Sequence, residues 1–464
     1  MDVLLGVVNY ILGFGAAVFV PLIMLIVGLL VKMKLSDAFV AALTLGVAFT
    51  GMNMLVSFMT GAVTPAAQGL AANTGITLTT TDIGWPALSA IAWAWPLGVL
   101  CFPLHLVVNM IMLAINKTNT LNVDLWNCWN KLLTTVLVYY FALTAGIPEG
   151  TAVGLGFTAA AIECVLELKF GDMWQPSIEK ITGIPGVTVP HAMAFTAVLV
   201  LPFDKLLDMI PAVRDASFDA KWLRSKIGVF GENAVMGFII GVCLGFAAYG
   251  ELQQALTLGI QAATAMQLFP MVSKLFMQAL SPISDAMGEY MRKRFHGREL
   301  YVGLDWPILA GSNELWVTTI LLIPFELLLA IALAPAGNTV LPFAGIVNLC
   351  LAVPLLLVTG GNLLKMVLIG IILTPIYLFV STAIAPYVTD LAAKYAPSAL
   401  EGIADGALIS WSTLECPDFR YAIAQAFSGN IIGMVALVAW FALFVWLYKE
   451  FKTRNVKIKE ELGH

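Results

Sequence analysis

The sequence predicts an all-α, polytopic membrane protein, and three observations support this fold class. Hydrophobic residues make up 60% of the 464 positions. Charged residues make up only 11%, against roughly 25% in soluble domains, so a soluble surface of this size could not be covered. The mean hydropathy is +0.89, and the apolar runs are continuous, whereas the strands of a membrane barrel alternate between apolar and polar residues.

Apolar segments long enough to cross a bilayer recur from end to end of the chain. We expect eleven crossings, at 7–31, 38–60, 86–114, 128–147, 150–168, 232–250, 255–280, 307–334, 339–360, 364–386 and 425–448. No basic region or small-residue cleavage site accompanies the first segment, so we expect a retained helix and not a cleaved signal peptide.

The positions of lysine and arginine predict the orientation of these helices. With the N-terminus outside and the C-terminus inside, twenty of the 24 lie on the inner side, as the positive-inside rule requires. Lys394 and Arg420 lie on the outer side. No basic face with interleaved aromatic residues is present, so the sequence disfavours nucleic-acid binding and favours a bilayer environment.

Motifs for cofactor binding or catalysis are absent from the sequence. It contains no glycine-rich phosphate loop, no His-Glu-x-x-His and no Gly-x-Ser-x-Gly. The six cysteines have no paired spacing, which disfavours a disulfide or zinc framework. We therefore expect no cofactor and no metal, and no ATP-driven transport within this polypeptide.

One apolar stretch, residues 183–203, does not fit a crossing. Basic residues that we place inside lie on both sides of it, so it must enter and leave the membrane on the same face. Gly183, Pro185, Gly186 and Pro190 suit broken backbone, which is tolerated at membrane depth where protein or a cavity covers it. The alternative is a surface amphipathic segment followed by a short helix.

The two halves of the chain resemble each other. Matching pieces are Ala42-Leu-Thr-Leu-Gly46 with Ala255-Leu-Thr-Leu-Gly259, Trp85-Pro86 with Trp306-Pro307, Trp95 with Trp316, Pro103 with Pro324, and Asn119-Thr120 with Asn338-Thr339. Each half holds five crossings, and an odd number inverts the second copy, an architecture typical of transporters. A second broken segment is then expected near 400–420, on position alone.

His191 and Glu314 are the first candidates for a binding site. His191 follows Thr188 in the broken segment, and a polar side chain at membrane depth indicates function by default. Glu314 and its neighbour Asn313 lie on the order of 12 Å into a helix, where an unpaired carboxylate is costly. The alternatives are a histidine that only pins the hairpin and an ion pair between helices.

Weaker candidates are polar or aromatic residues whose type and position fit a structural role as well as they fit ligand binding. They are Asn53, Asn122, Asp405, Ser410 and Trp411. Asn53 suits helix–helix hydrogen bonding, and Asp405 suits a cap or turn. His105 lies among aliphatic residues, which favours a structural role.

Three motifs resemble one known family. Gly183-Ile-Pro-Gly-Val-Thr-Val-Pro-His191, Tyr301-Val-Gly-Leu-Asp-Trp306 and Thr120-Leu-Asn-Val-Asp-Leu-Trp126 are similar to the IIC component of the galactitol-specific phosphoenolpyruvate-dependent phosphotransferase system. The resemblance implies an inner-membrane homodimer with eleven helices and two hairpins per protomer, a V-shaped scaffold and a substrate-carrying core. It also implies separate EIIB and EIIA proteins, EIIB performing the phosphoryl transfer to a sugar alcohol. The ascorbate relatives have an acidic residue where Pro190 stands here, a departure that suits a neutral polyol.

We therefore expect a sugar-alcohol permease that works by an elevator motion of its core against its scaffold. The expected division is scaffold 1–60, core 61–226, scaffold 227–284, core 285–423, and last helix with basic tail 424–464. One rival is a secondary transporter coupled to protons or sodium through Glu314 and Asp405. The other rival is a membrane enzyme acting on lipid head groups, which the missing catalytic motifs disfavour.

Overall fold

The computed structural model describes residues 10, 16–74, 78–124, 127–214, 232–294, 299–342, 347–401, 403 and 406–463. The described chain is mostly helical. The helices, in chain order from α1 to α15, are Ala16–Leu30, Leu35–Thr74, Gly84–Trp93, Cys101–Ala114, Cys128–Thr144, Glu149–Thr182, Ala197–Asp208, Pro211–Arg214, Asn233–Tyr249, Leu252–Arg294, Asn313–Ala332, Leu349–Thr359, Leu363–Tyr395, Pro417–Phe427 and Ile431–Leu462.

Within the described residues, five helices are long and apolar enough to cross a membrane. They are the first part of α2, Leu35–Met59, and the helices α6, α11, α13 and α15. The bent pair of α3 and the segment Gly98–Ala114 adds a sixth if it is counted as one span. The surface of α15 carries exposed apolar residues such as Ile432 and Val438, 80% and 70% accessible, as expected of a face against lipid. The prediction of a polytopic helical membrane protein is confirmed at this level.

Two predicted crossings differ from the structure. The predicted crossing 86–114 is not one straight helix, because the chain bends by 98° between α3 and the segment that follows. In the described part of the predicted crossing 339–360 the helix is α12, 11 residues long, which begins at Leu349. Hydropathy alone does not show where these helices break, although local signals are present: Pro96 and Gly98 stand at the bend, and Asn348 caps α12. The predicted crossing 7–31 lies partly outside the described residues.

Helices α1, α2, α9 and α10 pack on one another, and glycines set the close approach of α9 to α10. A Cβ added at Gly241 would lie 2.7 Å from the Leu258 carbonyl oxygen, and one at Gly245 would lie 2.5 Å from Ala255 Cα. Gly259, which ends the repeated Ala-Leu-Thr-Leu-Gly motif, would meet Val242 at 2.6 Å. Spacing of small residues by four positions is the usual means of close helix packing in membranes.

Five short strands lie between the helices and form two parallel sheets. The strands are β1 Thr80–Asp82, β2 Thr120–Asn122, β3 Val187–Thr188, β4 Tyr301–Gly303 and β5 Leu408–Ser410. In one sheet β4 lies between β2 and β3. In the other β1 pairs with β5, and Thr80 also bridges to Val340. The sheets join distant parts of the chain at the places where the helices are interrupted.

The α9–α10 contact gives a test with a matched pair of substitutions. Gly241→Ala should lower stability by about 1–3 kcal/mol, because the new methyl group overlaps the backbone of α10. Gly154→Ala on α6, where nothing lies within 4 Å, should be neutral or stabilising. Thermal unfolding in detergent measures both variants. Equal melting temperatures for the two would contradict the packing described here.

Candidate functional site

The first broken segment begins where α6 ends. Gly183, at φ +71°, caps the helix, and its N–H donates to the Glu179 carbonyl at 2.7 Å. Gly186 also has a positive φ, +68°, a backbone conformation that favours glycine. The chain then runs through β3 into a 3₁₀ helix, Ala192–Thr196, before α7 begins. Residues 183–203 are therefore not one continuous helix, in keeping with the prediction from their glycines and prolines.

Strand β4 supplies hydrogen-bond partners for backbone groups of this segment that are not in a helix. The N–H of Leu304 donates to the Thr188 carbonyl at 2.9 Å. A Cβ at Gly303 would lie 2.5 Å from Pro190 and 3.0 Å from the Asn122 Cα, so only glycine fits there. The Asn122 amide donates to the Pro190 carbonyl at 3.3 Å. The sheet thus brings three separate parts of the chain together beside the residue that precedes His191.

His191 lies at the centre of a buried polar cluster. Its Nδ1 accepts a hydrogen bond from the Met193 N–H at 3.2 Å, so the proton of the neutral ring is on Nε2. Nε2 lies 3.4 Å from Asp305 Oδ1. Glu415 lies between β5 and α14, in the stretch 400–420 where a second broken segment was predicted, and its Oε2 is 3.6 Å from Nδ1. Asp124, His191 and Asp305 have ligand atoms within 4.8 Å of one another.

Burial raises the pKa of the two aspartates that lie in the loops of this cluster. It raises the pKa of Asp124, against the opposing effect of the Asn127 amide, which donates to Oδ2 at 2.6 Å. Burial, and then the nearby Asp124 carboxylate, raise the pKa of Asp305 well above its ordinary value. An imidazole and two carboxylates could bind either a divalent cation or a ligand with several hydroxyl groups.

Two buried ion pairs lie behind the cluster. Lys131 Nζ is 2.7 Å from Glu167, and Arg420 is 3.2 Å from Glu163, with both side chains of each pair almost fully buried. Arg420 also donates to the backbone carbonyl of Glu415 at 3.0 Å. Arg420 was expected in an outer loop, but it is buried inside the protein, and so is Lys131. Neither charge is therefore informative about the orientation in the membrane.

The cluster as a whole has more hydrogen-bond acceptors than donors. The two cations are engaged by their own glutamates. Asp124 accepts from Asn127 and Asp305 accepts from the Trp306 N–H, and these two carboxyl groups and Glu415 surround a single imidazole. Glu415 Oε2 has no hydrogen-bond partner among the described residues. The rings of Trp129 and Trp411 lie beside each other, 6.0 Å apart. A ligand rich in hydrogen-bond donors would satisfy these acceptors.

Comparisons with known proteins show the family of this chain. The family model EIIC-GAT, described as "PTS system sugar-specific permease component", matches residues 10–399. The chain belongs to this family. It is therefore a sugar-specific permease component of a phosphotransferase system and a multi-pass protein of the inner membrane.

Two relatives show the extent of the similarity. The galactitol-specific EIIC component of Escherichia coli strain K12 is 30% identical over 390 residues, 84% of each chain. The putative permease IIC component of the same strain is 29% identical over 435 residues, 93% of this chain and 96% of the relative.

Glu314 and Asn313 begin helix α11 of this permease. Ser312 donates to the Glu314 carboxylate at 2.8 Å, and Gly361, in the turn between α12 and α13, packs against the Glu314 side chain. A 3₁₀ helix of six residues, on the order of 12 Å long, separates them from Asp305. Asp305 is the carboxylate that faces His191 from this part of the chain, and a role for Glu314 stays a prediction.

The remaining predicted residues are placed as follows. The hydroxyl of Thr188 donates to a carbonyl of α6, and that of Ser410 donates to a carbonyl of α13, so both stabilise backbone. Asn53 is on α2, but its side chain lies outside the described part of the structure, as does the whole of Asp405.

Sequence reasoning missed Asp124, Asp305 and Glu415 as members of the cluster. The two aspartates stand in the motifs that carry the family resemblance, each two residues after the end of its strand. Residues that follow parallel strands commonly line a site, but strands of three residues give no recognisable pattern in an apolar sequence. Glu415 reaches the site only through the fold of the second broken segment.

The buried pair Lys131–Glu167 gives a stability test. Lys131→Met should destabilise the permease by about 3–5 kcal/mol, because Glu167 would remain as an unpaired buried carboxylate. The double variant with Glu167→Gln should recover most of that loss. Thermal unfolding in detergent measures both. A double variant as unstable as the single one would show that the pair is not the cause.

Proposed function

We propose that this permease carries a sugar alcohol, galactitol or a related alditol, across the inner membrane for phosphorylation by a separate EIIB protein. The excess of buried acceptors around His191 is the observation that supports this ligand class. An alditol has a hydroxyl donor on every carbon and no charge, so it can hydrogen-bond several carboxylates without repulsion. The name of the galactitol-specific relative supports the same substrate class.

The proposed architecture has eleven crossings. The six spans counted above, three shorter apolar helices (Val20–Leu30, Gly237–Tyr249 and Leu349–Thr359) and the helices α5 and α10 add up to this number. The proposed orientation has the N-terminus outside and the C-terminus in the cytoplasm, with the basic end of α15 on the inner side.

The two sheets support an inverted repeat. β1 and β4 stand 221 positions apart, the separation of the matching Trp85 and Trp306. In one sheet β4 of the second half lies between two strands of the first half. In the other sheet β1 of the first half lies between β5 and Val340 of the second half. This exchange is the relation that a two-fold axis between the halves would produce.

We propose that 1–60 and 227–284 form the scaffold, and that 61–226 and 285–423 form the core, which 424–464 follows. The core would slide against the scaffold as an elevator, with both broken segments in the moving part. Thr196 donates to Asp418 at 2.8 Å, and Phe195 packs on Phe419, so the two broken segments are tied to each other. This connection would let them move as one body.

The proposed partners follow from the family. In a phosphotransferase system EIIB phosphorylates the substrate of the permease, and EIIA supplies EIIB. We propose a homodimer formed through the V-shaped scaffold, in which the exposed apolar residues Leu43, Val47 and Ile260 would lie against the other protomer or lipid.

The decisive test removes the two groups that face each other at the centre of the cluster. His191→Ala and Asp305→Asn should each abolish alditol binding and alditol-dependent phosphorylation, because a donor–acceptor pair at the ligand is lost. Isothermal titration with purified protein and a phosphorylation assay with EIIB measure the effects. Glu289→Gln, at the exposed end of α10, is the control. Wild-type binding by both variants would remove them from the site.

Glu314 needs a separate test, since its described contacts are with Ser312 and the Gly361 turn. Under the proposal Glu314→Ala should also abolish phosphorylation while the protein still inserts into the membrane. Membrane insertion is followed by expression and chromatography, and phosphorylation by the same assay. Normal uptake by this variant would place Glu314 outside the ligand site.

The alternative function is ion-coupled secondary transport of a polyol or sugar. The clustered ligand atoms of Asp124, His191 and Asp305 favour it, because they could bind a coupling cation. Uptake into liposomes driven by a proton or sodium gradient, without the phosphotransfer proteins, would support this alternative. We expect uptake to require EIIB instead.

A further inference from the structure

One of the buried carboxylates outside the cluster of His191 is Glu326. Glu326 is in the middle of α11, an apolar helix, and is 2% exposed. Neither carboxylate oxygen has a hydrogen-bond partner among the described residues. A carboxylate at membrane depth without a partner is costly and indicates a functional site. A ligand hydroxyl could be this partner, because it can donate to a carboxyl oxygen and accept from a protonated carboxyl group.

The surroundings of Glu326 are polar, but they do not satisfy it. The side chain of Asn348, which caps α12, faces the carboxylate, and Asp82 is close enough to repel it. Asp82 itself is satisfied, since the hydroxyl of Ser412 donates to it at 2.6 Å and the N–H groups of Gly84 and Ser412 donate at 3.2 Å. Glu326 is thus the member of this group that needs a donor from elsewhere.

The group around Glu326 lies close to the cluster of His191. Ser412 and Glu415 are three residues apart on the second broken segment, at most about 11 Å of extended chain. The beginning of α12 also connects the two groups. Asn348 faces Glu326, while Cys350 has Glu415 and Asp305 as charged neighbours. A ligand held at Asp305 therefore lies near the start of the helix whose cap faces Glu326.

The register of the two halves relates these groups to each other. Asn127 is at the N-cap position of α5 and Asn348 at that of α12, 221 positions apart, and the side chain of Asn348 makes the capping hydrogen bond. The same separation relates Glu326 to His105, which is also buried and has no hydrogen bond to either ring nitrogen among the described residues. Each half therefore places a buried titratable side chain at this position of its helix.

We propose that Glu326, with Asn348, forms a second hydroxyl-binding subsite, which takes the far end of an acyclic polyol whose near end lies at Asp305 and His191. The inference rests on the proposed function. An acyclic polyol has donors along its whole length, so one molecule can satisfy acceptors in both groups. The subsite would make the permease select alditols by chain length, because a shorter chain leaves Glu326 without a donor.

The test compares alditols of decreasing length, galactitol, arabitol and erythritol, by isothermal titration with purified protein. In the wild type, affinity should fall with chain length. Glu326→Leu should weaken galactitol binding by roughly 10–100-fold, the value of a hydrogen bond to a charged group, and leave erythritol binding unchanged. Glu326→Gln, which keeps the shape, should lie between the two. Glu289→Leu, on the exposed end of α10, is the matched control and should bind all three as the wild type does.

Either of two results would overturn the subsite. One is unchanged galactitol affinity in both Glu326 variants, and the other is an equal loss of affinity for all three alditols. If Glu326→Leu does not elute as a single species, Glu326→Gln alone decides. Absence of alditol binding by the wild type would refute the proposed function itself.

Discussion

The structure depends on satisfying the backbone polar groups of helices that are interrupted within the membrane protein. An N–H or C=O without a partner costs several kcal/mol in an apolar environment, so irregular backbone must be covered by protein. Strand β4 does this for the first broken segment, by lying between β2 and β3. The fit requires a glycine at position 303, where a side chain would overlap Pro190. The geometry that brings Asn122 and Asp305 to His191 is a consequence of this backbone pairing.

Buried charge is the second constraint, and it separates structural from functional ionisable groups. Lys131–Glu167 and Arg420–Glu163 are closed pairs whose members have each other. Removing one partner is expensive, whereas the pair itself adds little net stability. Asp124, Asp305 and Glu415 have no cation of their own. Asn127 and the Trp306 N–H donate to Asp124 and Asp305, but Glu415 Oε2 has no hydrogen-bond partner among the described residues, so a ligand that supplies donors would complete the cluster.

The sequence predicts the broad features of this protein because they depend on composition and on rigid residues. Apolar runs predict the helices, and Gly183 with Pro190 predicts the break before His191. The bend between α3 and α4 and the late start of α12 were not predicted, because the high hydropathy of both stretches hides the local signals: Pro96 and Gly98 stand at the bend, and Asn348 caps α12. Glu314 was the expected partner of His191, but Asp305, two residues after a three-residue strand, faces the imidazole. The pairing of such short strands across the chain cannot be predicted from local sequence.

The lack of an unpaired cation in the described part of the cluster also gives transport a direction under the proposed function. Lys131 and Arg420 are paired with Glu167 and Glu163, so the carboxyl groups around His191 can hydrogen-bond a neutral alditol but offer no counter-charge to an anion. A buried charge without a partner costs several kcal/mol. Phosphorylation of the bound alditol adds such a charge, so it converts a ligand that fits the site into one that the site expels. The same acceptors that select a polyol would then favour release of its phosphate ester, and no gradient would be needed to prevent its return.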